Sequence, residues 1–507
     1  MNPLLRTDSY KLSHIEQYPE GITRLYSNFT PRGSRIEGIE HVVNFGLQAY
    51  ITSIAEDFRT NFFNRNKATV LEEYRQATST FVNPGFTLDH VADLWELGYL
   101  PLRFSQVPEG TLVPIKVPMV TVENTHDDFA WLVNYIESDM SAAIWLPSTS
   151  ATKAWKMRRE LDKAARETGG APEAVDFQFH DFSYRGMENW LAAAASGAGH
   201  LLSFKGTDCV PAPIWIERYY HGVDNGLVGA SVPATEHSVM CAGGKESELE
   251  TFRRLIKTYP TGILSIVSDT WDFWKVLTEI LPQLKDEIMA RDGKIVIRPD
   301  SGNPADIVCG LNTNGYAKKF LNNEDGTPVE ETPEDKGAME LLWDLFGGTV
   351  NDKGFKELDP HIGLIYGDGM GYEPVAEINR RLRDKRFAST VWVAGAGSYF
   401  YQYNTRDTFG FAVKATWIVK DGVAQEIFKD PITDSGLKRS ARGRLAVLHQ
   451  MDGTLYHQDN ATEDQEKASL IQPVWEDGKW LRKYAFSEVR SNLELATEIL
   501  ERNGGIA

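Results

Sequence analysis

The chain predicts an α/β fold, an irregular (β/α) barrel over residues 146–399 with a discontinuous β-rich α+β domain built from residues 1–145 and 400–507. Three observations predict it. Short apolar runs alternate with amphipathic helical stretches in the middle of the chain, which is the pattern of parallel βαβ units. Each run is followed at once by polar, charged or glycine residues, where barrels carry their functional loops. The flanks differ, with turn chemistry that suits antiparallel hairpins.

Taken in order, residues 102–124 read as strand pairs interrupted by Pro108, Glu109 and Gly110. Barrel strands are expected at 177–179, 201–204, 263–267, 295–297, 362–366 and 391–393. Helices are expected at 246–257, 271–291, 336–345 and 373–384. The polar stretch 312–335 reads as an inserted loop. Asp-Gly pairs at 421–422, 452–453 and 477–478 each sit between strand-like residues and predict hairpins, and a helix near 488–502 closes the chain.

Composition bounds the function. With 507 residues the chain exceeds one ordinary core, and 42% hydrophobic residues exclude disorder as its main theme. A net charge of −18 without any Lys/Arg block argues against nucleic acid, yet permits a local basic pocket. The three cysteines, Cys209, Cys241 and Cys309, form no CxxC pair, so neither a zinc site nor a disulfide framework is indicated. No apolar run reaches membrane length and no leader-like segment opens the chain, so a cytoplasmic protein with no membrane partner is expected.

The chemistry gathers behind the expected strands. His180, Asp181, Phe182 and Arg185 follow one; Lys205 and Asp208 a second; Ser268 and Asp269 a third; Arg298 and Asp300 a fourth; Gly367, Asp368 and Gly369 a fifth; and Gly395, Gly397 and Ser398 a sixth. The glycine loops allow backbone amides to approach a phosphate. Arg185 and Arg298 can grip a diphosphate bidentately. Asp300 and Asp368 can meet ribose hydroxyls or help position Mg²⁺, although capping a loop is an equal use for either. Phe182 offers a face for a planar heteroaromatic ring. Together these residues suit a sugar phosphate that carries a second, polyphosphate group.

The absences agree. Gly243-Gly-Lys-Glu246 is not a P-loop, no GxGxxG opens a helix, and no HxH or HExxH is present.

The chain resembles the nicotinamide phosphoribosyltransferase family along nearly its full length. The stretches that carry this are Thr7-Asp-Ser-Tyr-Lys11, Val122-Glu-Asn-Thr125, His180-Asp-Phe-Ser-Tyr-Arg-Gly186, Phe204-Lys-Gly-Thr-Asp208 and Ser231-Val-Pro-Ala-Thr-Glu-His-Ser238. Further on come Val267-Ser-Asp269, Ile297-Arg-Pro-Asp-Ser-Gly-Asn-Pro304, Gly367-Asp-Gly369, Thr405-Arg-Asp407, Phe428-Lys-Asp-Pro431 and Lys438-Arg-Ser440. The resemblance implies a homodimer with shared active sites, in which Phe182 stacks on one face of nicotinamide and Tyr10 of a second subunit on the other, with Asp8 nearby. It implies that Asp208 accepts a hydrogen bond from the carboxamide, that Arg298 and Asp300 hold the phosphoribosyl group, and that Gly367, Asp368, Gly397 and Ser398 line the 5′-phosphate pocket. Arg32, Arg185, Arg406, Lys414, Lys429 and Lys438 resemble the family's pyrophosphate and ATP-phosphate contacts. His237 resembles its phosphorylated histidine, with Asp269 orienting the imidazole. ATP as co-substrate and Mg²⁺ are implied with them.

Two positions depart from the family pattern: Ala412 stands where the family has serine, and the loop Gly395-Ala-Gly-Ser398 is bulkier than a run of glycines. The neighbouring reading is nicotinate phosphoribosyltransferase, which a basic or neutral residue at position 208 would favour. A non-catalytic sugar-phosphate sensor is the alternative from another class, and it gives no reason for His237.

Overall fold

The computed structural model describes residues 1–82, 85–220, 226–311, 330–429 and 440–504. The chain divides into two compact units, one of residues 1–152, 214–226 and 404–507, the other of residues 153–213 and 227–403.

The second unit is mixed α/β and is built on a curled parallel sheet. Its five strands lie in the order Phe179–Asp181, Trp392–Ala396, Ile362–Tyr366, Asp292–Arg298, Thr261–Val267. All four pairings are parallel, and the register sets Ala396 beside Asp181 and Arg298 beside Val267, so the carboxyl ends of the strands align. Three isolated parallel bridges, Asp181–Thr207, Gly206–Ala230 and Ala234–Ser265, run from one edge strand to the other. Phe179, Ile266, Ile295, Ile297, Leu364 and Ala394, which share one face of the sheet, are buried, and Phe179 packs against His200 and Phe400 of the covering helices. Helices cover the outside with one apolar face each: Tyr372–Asp384 buries Val375, Ile378 and Leu382 at helical spacing.

The first unit is organised by a seven-stranded antiparallel sheet. Its longest inner strands pair across the two ends of the chain: Ile22–Thr30 lies between Val120–Asn124 and Ala412–Lys420. Chain segments from both termini thus share one sheet. Positive φ at Asp421 and Asp477, each followed by a left-handed glycine, makes the tight turns of two of its hairpins, and the third joins Ala446–His449 to Leu455–Gln458.

Several expectations need correction. The strand expected at 177–179 starts two residues later, because residues Pro172–Phe177 coil into a 3₁₀ helix that begins at a proline. Residues 201–204 are not a strand. They close the preceding helix, with the amides of Leu201 and Phe204 donating to Gly197 O and His200 O, and the extended stretch is only Gly206 and Thr207. The expected domain border at 145 falls instead near residue 152, within the continuous helix Glu137–Thr168. Residues 214–226 belong to the first unit, where Tyr220 donates a 2.6 Å hydrogen bond to the fully buried Glu109. Of the loop expected at 312–335, residues 312–329 lie outside the described residues, and Pro333–Lys336 is a helical turn with a Thr332–Asp335 capping box. No helix among the described residues is long and apolar enough to cross a membrane.

Candidate active site

Parallel strands aligned at their carboxyl ends bring distant loops to one place, and the second unit uses this. Phe182 follows its strand directly and its amide is fixed by Ala396 O at 2.9 Å. The Arg298 guanidinium lies 4.8 Å from the Phe182 ring centroid, and the His180 ring lies 4.7 Å from it. Gly395 is required here, since a Cβ on it would come within 2.8 Å of the Phe182 ring and 2.9 Å of Tyr366 O. Arg298 Nε is buried and has no hydrogen-bond partner among the described residues, which leaves one donor unsatisfied beside the Phe182 ring.

Asp208 follows the bridge residues Gly206 and Thr207, with its amide bound to Asp181 O. Its Oδ1 lies 2.8 Å from His180 Nε2 and accepts the Ser231 hydroxyl at 2.5 Å. Burial works against the Asp208 charge, but His180, the Ser231 hydroxyl and the Arg298 charge outweigh it and hold the carboxyl below its ordinary pKa. Ser231 opens one of the motifs that carry the family resemblance, yet nothing in the sequence pairs it with Asp208. The parallel bridge between Gly206 and Ala230 does that.

A second group sits around His237. Its Nε2 lies 3.3 Å from Asp300 Oδ1 and its Nδ1 3.3 Å from Thr270 Oγ1. Asp269 does not hydrogen bond to His237 as expected. Its Oδ2 accepts from the amides of Asp300 and Ser301 and from the Ser301 hydroxyl, at 2.8, 2.9 and 2.6 Å, and so shapes the loop after Arg298. Asp269 Oδ1 is buried without a hydrogen-bond partner among the described residues, and potential metal-ligating atoms of His237, Asp269 and Asp300 all lie within 4.8 Å of one another. Asp269, Asp300 and Asp368 together, after burial, push the Tyr366 hydroxyl up to about 12.

The glycine loops close this end of the sheet. A Cβ on Gly367 would meet Arg298 Nε at 3.0 Å, and one on Gly397 would meet Asp368 Oδ1 at 2.8 Å. The bulk of Ser398 is accommodated because its side chain abuts Gly186, where any Cβ would overlap it. Arg185, on the same turn as Gly186, is exposed.

The remaining expected residues lie in the first unit. Arg32, Lys414, Asn28, Lys116 and Ser440 line a cavity of about 260 Å³, and the buried Ala412 stands in its wall. Burial lowers the Lys414 pKa, and Arg32, Lys429 and Arg406 lower it further against Glu137. Four cations thus share one field. Asp8 accepts a hydrogen bond from the Ser138 hydroxyl, and Tyr10 is 55% exposed. Lys438 lies outside the described residues.

Cationic, carboxylate and glycine loops gathered at the carboxyl ends of parallel strands suit a phosphorylated ligand. A model of the nicotinate phosphoribosyltransferase family matches residues 177–479, and one of the nicotinamide phosphoribosyltransferase N-terminal domain matches residues 2–103. The nicotinamide phosphoribosyltransferase of Acinetobacter baylyi is 47% identical, with 97% of this chain and 97% of that protein covered. The nicotinamide phosphoribosyltransferase of Mycoplasma pneumoniae is 36% identical over 87% of this chain and 95% of its own. The chain belongs to this family of pentosyltransferases. In fold it is similar to human nicotinic acid phosphoribosyltransferase, at 13% identity and a TM-score of 0.56 with 97% and 93% of the two chains covered. It is likewise similar to a nicotinate-nucleotide pyrophosphorylase from Pyrococcus furiosus, at 15% identity and a TM-score of 0.54 with 99% and 96% covered.

Proposed function

We propose that this enzyme transfers the phosphoribosyl group of phosphoribosyl pyrophosphate to nicotinamide, giving nicotinamide mononucleotide and pyrophosphate for NAD biosynthesis. The observation that carries the choice of substrate is the carboxylate of Asp208, held in its charged form beside the Phe182–Arg298 stack. A pyridine ring laid on Phe182 brings its substituent to Asp208. A carboxamide donates an N–H there. The carboxylate of nicotinate brings a second negative charge to a partly buried one, which is costly. The names of the full-length relatives point the same way.

In the transfer, the ring nitrogen bonds to C1 of the sugar as the C1–O bond to pyrophosphate breaks, and the electron pair leaves with pyrophosphate. Arg298 and Asp300 hold the ribose, and Gly367, Asp368, Gly397 and Ser398 line its 5′-phosphate. In the second unit Arg185 offers compensating charge to a phosphate group of the sugar substrate, and in the first unit Arg32, Arg406, Lys414, Lys429 and Lys438 are the cations assigned to pyrophosphate and ATP phosphates. The imidazole of His237 attacks the γ-phosphorus of ATP, ADP leaves, and hydrolysis of the phosphohistidine favours product. Asp300, 3.3 Å away, faces the imidazole. The donor set suits Mg²⁺ through its carboxylates, since Asp269 Oδ1 is buried and unpaired beside Asp300. When bound, the ion supplies positive charge for the leaving diphosphate.

The fold reading that goes with this is an irregular barrel whose ring is completed by the three single bridges. The assembly reading is a cytoplasmic homodimer, in which Tyr10 of the partner subunit covers the open face of the ring. A substrate panel tests the function: nicotinamide, nicotinate and quinolinate, each with phosphoribosyl pyrophosphate and Mg²⁺, with and without ATP. Nicotinamide is expected to react fastest and to be stimulated by ATP. A preference for nicotinate would reassign the substrate.

A further inference from the structure

His180 has been given no part in choosing the substrate, although it touches both Asp208 and Phe182. Its Nε2 lies 2.8 Å from Asp208 Oδ1 and its ring packs 4.7 Å from the Phe182 ring. The side chain is 12% exposed against 39% for Asp208, so the imidazole is the inner member of the pair. Gly206 presses on it from the neighbouring backbone, and a Cβ there would reach within 2.7 Å of His180 Nδ1. Ser231 donates to the same Oδ1. One Asp208 oxygen is therefore taken by two partners, and Oδ2 has no hydrogen bond among the described residues.

We propose that His180 is a specificity-determining positioning residue, which locks Asp208 through Oδ1 so that Oδ2 is presented, charged, to the ring substituent of the substrate. This rests on the reading of Asp208 as the carboxamide acceptor. With a proton on Nε2 the imidazole donates to Oδ1, a hydrogen bond that favours the ionised carboxylate. It also fixes the carboxylate plane, which a freely rotating Asp would not keep. The substrate class selected is a neutral amide on a pyridine ring over the corresponding acid.

The test compares kcat/KM for nicotinamide and nicotinate in the wild type, His180→Ala, His180→Gln, Gly206→Ala and Asp208→Asn. Glutamine can place an amide N–H where His180 Nε2 lies, whereas Gly206→Ala displaces the ring without removing a charge. The nicotinamide-to-nicotinate ratio is expected to fall roughly tenfold in His180→Ala, the size of one charge-assisted hydrogen bond. The fall should appear mainly in KM for nicotinamide. Gly206→Ala is expected to follow it, and His180→Gln to keep most of the ratio. If His180→Ala does not fold, Gly206→Ala and His180→Gln still decide the matter. A ratio unchanged in the folded His180→Ala and Gly206→Ala proteins, but lowered by Asp208→Asn, overturns the role of His180 and leaves that of Asp208 intact. A ratio unchanged in Asp208→Asn overturns both.

Discussion

At the scale of single residues, charge placement decides the chemistry. Asp208→Asn keeps the shape of the side chain but removes the charge that His180, Ser231 and Arg298 stabilise. The preference for nicotinamide over nicotinate is expected to drop about tenfold or more in steady-state kinetics, because one buried like-charge repulsion disappears. An unchanged ratio would take Asp208 out of substrate selection. His237→Ala is expected to abolish stimulation by ATP while leaving measurable transfer, since the imidazole lies beside Asp300 and Thr270 and not in the Phe182 stack. Surviving stimulation in that variant would remove the phosphohistidine. Phe182 was legible in the sequence because it follows a strand directly, whereas Asp208 follows only two bridge residues and His237 opens a short helix. The pairings were not legible. His180 and Ser231 stand 28 and 23 positions from Asp208, and only strand order brings them together. The role of Asp269 was misread for the same reason, as its loop contacts lie 31 and 32 positions away.

At the scale of elements, periodicity identified the buried strands well where they are long and apolar, as in Ile362–Tyr366, which is buried throughout. It failed at 201–204, where Leu201, Leu202 and Phe204 are apolar because they cap a helix against the core. A short apolar run has no period to read. The parallel strands also need anchoring at their amino ends, and one arginine supplies it. Arg291, 5% exposed, donates from Nε, Nη1 and Nη2 to the carbonyls of Tyr259, Gly262 and Thr261 at 2.8, 2.7 and 2.9 Å. Arg291→Lys cannot reproduce this fork. It is expected to destabilise the fold by about 2 kcal/mol, the loss of charge-assisted hydrogen bonds from a buried guanidinium, read from the urea midpoint. A shift within error would show the fork to be dispensable.

At the scale of the whole molecule, the discontinuous first unit was legible from the change in turn chemistry after residue 400, whereas its exact extent was not. The stretch 214–226 joins it through Glu109, a contact that no local pattern encodes. Ion pairs within each unit also set the response to acid. Glu377 is held down to about 2 by Arg380 and Arg381, from an ordinary 4.5. Glu123 is lowered too, because Arg444 and Arg103 outweigh its burial. Both are depressed in the folded state, so their stabilisation is present above pH 4.5 and is lost as the pH falls through each folded value, which for Glu377 is about 2. The urea midpoint is expected to fall between pH 6 and pH 3. A flat profile across that window would mean that the pairs persist in the unfolded chain.

The three lone bridges have a consequence for motion. Elsewhere the parallel sheet is held by ladders of three to seven residue pairs, but from Asp181 to Ser265 each joint rests on one. Asp208, the proposed partner of the pyridine substituent, and Ser231, whose hydroxyl donates to Asp208, hang from this thin seam. A substrate spanning Phe182 and Asp208 would act as a rivet across it. Hydrogen–deuterium exchange is expected to be fast at the amides of Thr207 and Ala230 in the free enzyme and to slow when nicotinamide binds. Equal protection in both states would mean that the seam is already rigid, and that selectivity owes nothing to its closing.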